Sequence, residues 1–121
     1  MKTSSAKGKG RLFQQNIAKR ISQLIQKPWG KDEQIASREM GQSGTDIRLV
    51  GEAKEEFPWS VEIKRQEKWD VHKWIKQAKE NQMPSTDWIL FARRNREDGV
   101  AILDIDVFFD LLRLIKGKKG R

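Results

Sequence analysis

Asp46, Glu62 and Lys64 are the residues of this 121-residue chain whose types and spacing can do chemistry together. In Trp59-Ser60-Val61-Glu62-Ile63-Lys64 the alternation of an extended strand sets Trp59, Val61 and Ile63 on one face and Ser60, Glu62 and Lys64 on the other. Gly44-Thr45-Asp46-Ile47-Arg48-Leu49-Val50 reads as a neighbouring strand that opens at Asp46 and turns Ile47 and Leu49 to the core. Two carboxylates meeting at a sheet edge repel each other, and a divalent cation neutralises them. Such a pair suits phosphodiester hydrolysis, which needs a water made nucleophilic and charge placed at the phosphorus. Asp46 and Glu62 are then the side-chain ligands of Mg2+, with Mn2+ expected to substitute, and the main-chain carbonyl of Ile63 is a third oxygen. Lys64 would orient or deprotonate the water and offset charge on the phosphate.

Glu-x-Lys alone is weak, and for an isolated strand copy a surface ion pair is the commoner explanation. Glu52-Ala53-Lys54 is a second copy without flanking alternation, and it serves as an internal control. The Gly-Thr-Asp entry to the preceding strand is what tips the balance at Glu62.

The elements that must position these residues follow from periodicity. Segment 1–10, rich in Ser, Gly and Lys, is expected to be a flexible basic arm. Phe13, Ile17, Ile21, Leu24 and Ile25 predict an amphipathic helix from Arg11 until Pro28 forbids it. Residues 35–40 predict a short strand and 41–44 a glycine-rich turn into Asp46. Residues 46–50 and 59–65 are strands joined by a polar hairpin loop over 51–58. Val71, Trp74, Ile75 and Ala78 mark a helix over 70–81 with Asp70 as N-cap. Residues 88–93 and 100–103 are strands around the turn Asn95-Arg96-Glu97-Asp98-Gly99. Asp104 or Asp106 caps a closing helix with the stripe Val107, Phe108, Leu111, Leu112 and Ile115, ending at Gly117. The sum is a small α/β domain, helices against one central mixed sheet.

Composition narrows the partners. The net charge is +8: residues 1–31 carry eight Lys or Arg and no acid, 113–121 carry five and no acid, and 32–112 carry 12 basic and 17 acidic residues. Basic ends around an acidic centre suit a polyanion, although basic tails are also common without one. With no cysteine, thiolate chemistry and disulfides are excluded. No apolar run is long enough for a membrane span and none resembles a signal peptide, so a cytoplasmic protein without membrane contact is expected.

With these residues in view, the chain resembles the PD-(D/E)xK nuclease superfamily, with Thr45-Asp46 in place of Pro-Asp and Glu62-Ile63-Lys64 as the ExK strand. It is most similar to archaeal-type Holliday junction resolvases and small phage-encoded nucleases. Lys9-Gly10, Arg38, Gly41 and Gln77 match a Lys-Gly opening the first helix, an Arg and a Gly before the aspartate, and a Gln on the helix after the ExK strand. Phe57-Pro58-Trp59-Ser60-Val61-Glu62 and Phe91-Ala92-Arg93-Arg94-Asn95-Arg96 resemble phage versions. The likeness runs from Gly8 to Leu112. It implies a restriction-endonuclease-like domain over 11–116 followed by a basic tail over 117–121. It further implies a Mg2+-dependent endonuclease acting as a homodimer on four-way or otherwise branched DNA, in the host cytoplasm if phage-encoded. Gln77 joins Asp46, Glu62 and Lys64 as a catalytic residue, and Lys7, Lys9, Arg11, Gln14, Arg38, Ser43, Arg93 and Arg94 are the expected DNA contacts. One departure stands out: the first-helix glutamate of these resolvases is matched here by Gln14, whose amide can bind water or phosphate but supplies no charge.

Two other readings share these residues: a less selective DNA nuclease, and a catalytically silent DNA-binding module. The sole histidine, His72, fits a surface or packing role better than a general base. Trp59, Trp74 and Trp88 belong to core stripes, leaving Trp29 and Trp69 as exposed platforms for a base. Arg93, Arg94 and Arg96 sit around a turn that serves phosphates or solvent equally well. Asp104, Asp106 and Asp110 look like a metal cluster, but capping explains the first two.

Overall fold

The computed structural model is an α/β architecture whose elements run α1 (Lys2–Ile25), β1 (Ile35–Ser37), β2 (Ile47–Leu49), α2 (Gly51–Glu56), β3 (Trp59–Arg65), α3 (Val71–Glu80), β4 (Asp87–Arg93), β5 (Val100–Leu103) and α4 (Ile105–Lys119). It describes the backbone of residues 2–39 and 44–119 and the side chains of residues 7–39 and 44–117.

Helix α1 buries Phe13, Ile17, Ala18 and Ile21, spaced to fall on one face, while Leu24, expected in the same stripe, is exposed. The chain leaves this helix through Gln26 at φ +57°, and the Lys27 N–H donates to the Ser22 carbonyl, the paired signature of a Schellman ending before Pro28. At its other end the helix begins at Lys2 rather than Arg11, so segment 2–10, read from sequence as an arm, is helical. Gly8 and Gly10 lower helix propensity without stopping a helix, and no proline precedes Pro28.

Strands β3 and β4 pair in parallel, which requires a crossover, and α3 is that crossover; β4 and β5 pair antiparallel across the turn at 94–99. The sheet divides its side chains between two layers. Val61, Ile63 and Ile89 face α1 and join Ile35, Ile47 and Ala53 in one core. Trp88, Leu90 and Ala92 face α3 and pack with Trp74 and Ala78 in the other. Asp70 caps α3 as expected, accepting the Lys73 N–H at 3.3 Å.

Three further expectations change. The strands form a mixed sheet β3-β4-β5 and a separate antiparallel pair β1-β2 instead of one sheet. The two meet at Asp46, whose N–H donates to the Val61 carbonyl at 2.9 Å. Residues 51–58 are no hairpin loop: Gly51–Glu56 is a helical turn and a half, and its single buried residue, Ala53, plugs the α1-side core. The last helix is capped by Asp104, whose Oδ1 accepts the N–H groups of Asp106 and Val107, but it runs through Gly117 to Lys119. Of its apolar stripe only Val107 is half-buried. Phe108, Leu111, Leu112 and Ile115 are exposed, together with Ile105, Phe109 and Leu114.

Candidate active site

Asp46 is fixed from four directions. Its N–H donates to Val61, its carbonyl accepts from the Arg38 N–H at 2.8 Å and from the Gln14 amide at 2.8 Å, and its carboxylate Oδ2 accepts the Ile63 N–H at 2.7 Å. The carboxylate therefore fills the place that a main-chain carbonyl would take if β2 continued alongside β3. Gly44, at φ +96°, makes the left-handed entry that leads the chain into this position, a conformation glycine adopts without strain. Thr45 is buried beside it, its hydroxyl donating to the Ile47 carbonyl at 3.0 Å.

Glu62 and Lys64 stand on the α3 face of β3, as the alternation predicts. Glu62 is 3 % exposed. Its Oε1 accepts from the Asn81 amide at 3.3 Å, and its Oε2 lies 3.6 Å from Lys64 Nζ. Lys64 in turn donates to Gln77 Oε1 at 2.7 Å. Gln77 and Asn81 are one helical turn apart, about 6 Å along α3, which matches the rise of roughly 6.6 Å between Glu62 and Lys64 along the strand. The helix thus presents one amide to each charged group. Asn81 is absent from the sequence reading; its i, i+4 relation to Gln77 is the signal that could have found it.

Ile63 links the two carboxylates. Its N–H points to Asp46, away from β4, and in an extended strand the carbonyl of the same residue points to the same edge. The Ile63 carbonyl, Asp46 and Glu62 therefore belong to one rim. Among the described residues no three His, Cys, Asp or Glu side chains converge, so the donor set is two carboxylates and main-chain oxygen.

The two carboxylates hold protons more tightly than usual. Burial pushes Asp46 up, against the pull of the Ile63 N–H and the charges of Lys64 and Arg38. Burial also pushes Glu62 up, the charge of Asp46 adds to it, and Asn81 and Lys64 oppose it. The folded chain therefore binds more protons than the unfolded one above the ordinary carboxylate range of about 4, and its stability is expected to fall as pH rises through that range towards the raised values. Glu62→Gln, which keeps an acceptor for Asn81, is expected to flatten this slope and to raise the melting temperature of the metal-free protein near neutral pH. Melting curves from acid to neutral pH check this. Parallel curves for wild type and Glu62→Gln would show that the carboxylate carries no such cost.

The other expected contacts divide into two groups. Lys7, Arg11, Gln14 and Arg38 line a pocket of about 450 Å3, shared with Gln15, Ser37 and Glu39. Arg38 reaches the Asp46 approach directly, donating from Nε to the Thr45 carbonyl. Gln14, expected to meet water or phosphate, is instead a buried strut. Its amide nitrogen donates to both the Arg38 and Asp46 carbonyls, which leaves no amide proton for a ligand. Lys9 and Arg93 line a different cleft, on the far side of α1. Arg94 is exposed in the adjoining turn, and Ser43 lies outside the described residues.

His72 is exposed on α3. Trp69 remains 37 % exposed, tilted against Trp74 with ring centres 5.7 Å apart, whereas Trp29, the other expected platform, packs against the α1-side core. Asp104 caps α4 and Asp110 pairs with Arg113, so the three late aspartates have ordinary structural partners where any are found. No helix among the described residues is long and apolar enough to cross a membrane.

Compared with known proteins, the chain matches no family model, no curated protein and no solved structure.

Proposed function

We propose that the protein is a metal-dependent DNA endonuclease of the restriction-endonuclease-like fold. The observation that carries this reading is the seat of Asp46: its carboxylate rests on the N–H of Ile63, the residue between Glu62 and Lys64, so two carboxylates and an ammonium share one rim. Structural ion pairs do not need a second, repelling carboxylate.

The residues fit a hard divalent cation. Asp46, Glu62 and the Ile63 carbonyl would hold Mg2+, a small all-oxygen set of the kind that leaves positions for water and for substrate phosphate. The cation, when bound, lowers the pKa of water and offsets charge at the phosphorus. The chain supplies the rest. Lys64, kept in place by Gln77 and Glu62, presents its ammonium to the attacking water and the scissile phosphate. Asn81 holds Glu62 in the rotamer that faces Lys64. Arg38, with Lys7 and Arg11 lining the neighbouring pocket, offers charge for the flanking strand. Water adds to phosphorus, one ester P–O bond breaks, and the products are a phosphate monoester end and a hydroxyl end.

Branched DNA, in particular the four-way junction, is the proposed substrate, on the strength of the family resemblance. A two-fold-symmetric junction calls for two symmetric sites, and a homodimer supplies them. The exposed apolar residues of α4 support dimerisation: seven of them between Ile105 and Ile115 lie open on one helix, an unpartnered apolar surface of the kind that homodimer interfaces bury. A general DNA nuclease would use the same centre. Incubating the protein with labelled four-way junction and with linear duplex of matched sequence separates the two. Paired, symmetric nicks confined to the junction support a resolvase, whereas equal cutting of both substrates supports the general nuclease.

A further inference from the structure

We infer that the cleft between the N-terminal half of α1 and the turn joining β4 to β5 is a second seat for a DNA phosphodiester, on the opposite face of α1 from the pocket lined by Lys7, Arg11 and Arg38. The inference rests on the nuclease reading for the identity of the polyanion. The cleft has a volume of about 400 Å3 and is lined by Lys9, Arg65, Arg93, Asn95 and Arg96, with Leu12, Phe13 and Asn16 of α1 as its floor; no carboxylate lines it.

Three features point to an anion. Lys9 and Arg65 both donate to one neutral atom, Asn95 Oδ1, at 3.3 and 2.9 Å, which brings two cations within about 6 Å of each other. An amide oxygen cannot neutralise both. Arg65 is held beneath by Glu67, at 3.0 Å, whose other bond is to the Asn95 N–H at 2.8 Å. That carboxylate is spent on fixing the guanidinium and the turn, and these contacts hold Glu67 below its ordinary range. Arg93 donates from Nε to the Glu97 carbonyl at 2.8 Å, and its two terminal nitrogens make no hydrogen bond among the described residues.

The backbone supplies the third feature. Arg96 sits at φ +60°, where a side chain is strained and glycine or asparagine is at ease. Placing an arginine there costs stability and gains a fourth cation on the cleft. Tight turns of this kind are ordinarily built with the permissive residue. Function and folding therefore make opposite demands at this position, and that opposition can be measured.

The experiment is binding of a labelled four-way junction by the full chain in EDTA, where cleavage does not intrude, over a range of salt concentrations, with melting temperatures recorded in parallel. Arg96→Gly is expected to raise the melting temperature by roughly 2–5 °C while weakening binding several-fold. Arg96→Lys, which keeps both charge and strain, is expected to stay near wild type in both. Lys9→Gln with Arg93→Gln is expected to weaken binding about tenfold and to lower the slope of log affinity against log salt by about one, the signature of a lost phosphate contact. Unchanged affinity and slope in Arg96→Gly and in the double variant would overturn the seat, even if the wild type cuts DNA. Reduced affinity in a protein that never cuts DNA would uphold the seat while removing the nuclease reading.

Discussion

Asp46→Asn, Glu62→Gln and Lys64→Met are each expected to lower Mg2+-dependent cleavage at least ~10²–10⁴-fold with the domain still folded, because each removes a charge that the reaction uses while preserving volume. The choice of substitution matters most at Asp46. Its Oδ2 is the acceptor for the Ile63 N–H, so Asp46→Ala leaves a strand amide without a partner and is expected to lose roughly 1–3 kcal/mol of stability as well as activity. Asp46→Asn keeps an oxygen in that place. Single-turnover rates with melting curves for both variants check the expectation. Equal melting temperatures for the two would mean the Ile63 bond contributes little. Wild-type turnover in Asp46→Asn or Glu62→Gln would remove the rim from the mechanism.

Phe109→Glu combined with Leu112→Glu is expected to weaken the proposed homodimer at least ~100-fold, since burying an unpaired carboxylate in an apolar interface costs several kcal/mol. Both side chains are exposed on the single chain, so the monomer's own stability should scarcely change. Sedimentation or light scattering at micromolar concentration reads the change directly. Paired nicking of a junction should fall to single, uncoupled nicks in the same variant. A wild-type chain that is monomeric under these conditions, on and off DNA, would contradict the homodimer.

The carboxylate rim is the most legible part of the chain. Strand alternation alone assigned Glu62 and Lys64 to one face of β3, and the structure places them on the α3 side with Val61 and Ile63 opposite. What alternation does not encode is the partner across the layer. Gln77 came through the family resemblance, and Asn81, one turn further along α3, escaped because it terminates the helix and reads as a stop signal. Segment 51–56 escaped for a different reason. Its acids and lysine resemble a surface loop, and only the burial of Ala53 reveals that the turn is helical and inward-facing.

The last helix and the sheet depart from expectation for different reasons. Apolar helical periodicity says that a face of α4 is to be buried, not by which molecule. The single sheet was expected because five strand-like segments ordinarily pair in sequence. Instead the side chain of Asp46 interrupts the ladder between β2 and β3 by taking a main-chain amide for itself. Gln14 shows the converse. A polar residue matched to a site glutamate turns out to be a buried brace whose donors hold two carbonyls of the Asp46 approach.

Cleavage of labelled DNA by wild-type and Glu62→Gln protein in Mg2+, Ca2+ or EDTA decides whether Asp46 and Glu62 hold a divalent cation for phosphodiester hydrolysis. Strand breaks are expected with wild type in Mg2+ alone, none in EDTA, and none with Glu62→Gln despite retained DNA binding. Cleavage that persists in EDTA or in Glu62→Gln, or wild-type protein that binds DNA in Mg2+ without ever breaking it, would contradict that role of the two carboxylates.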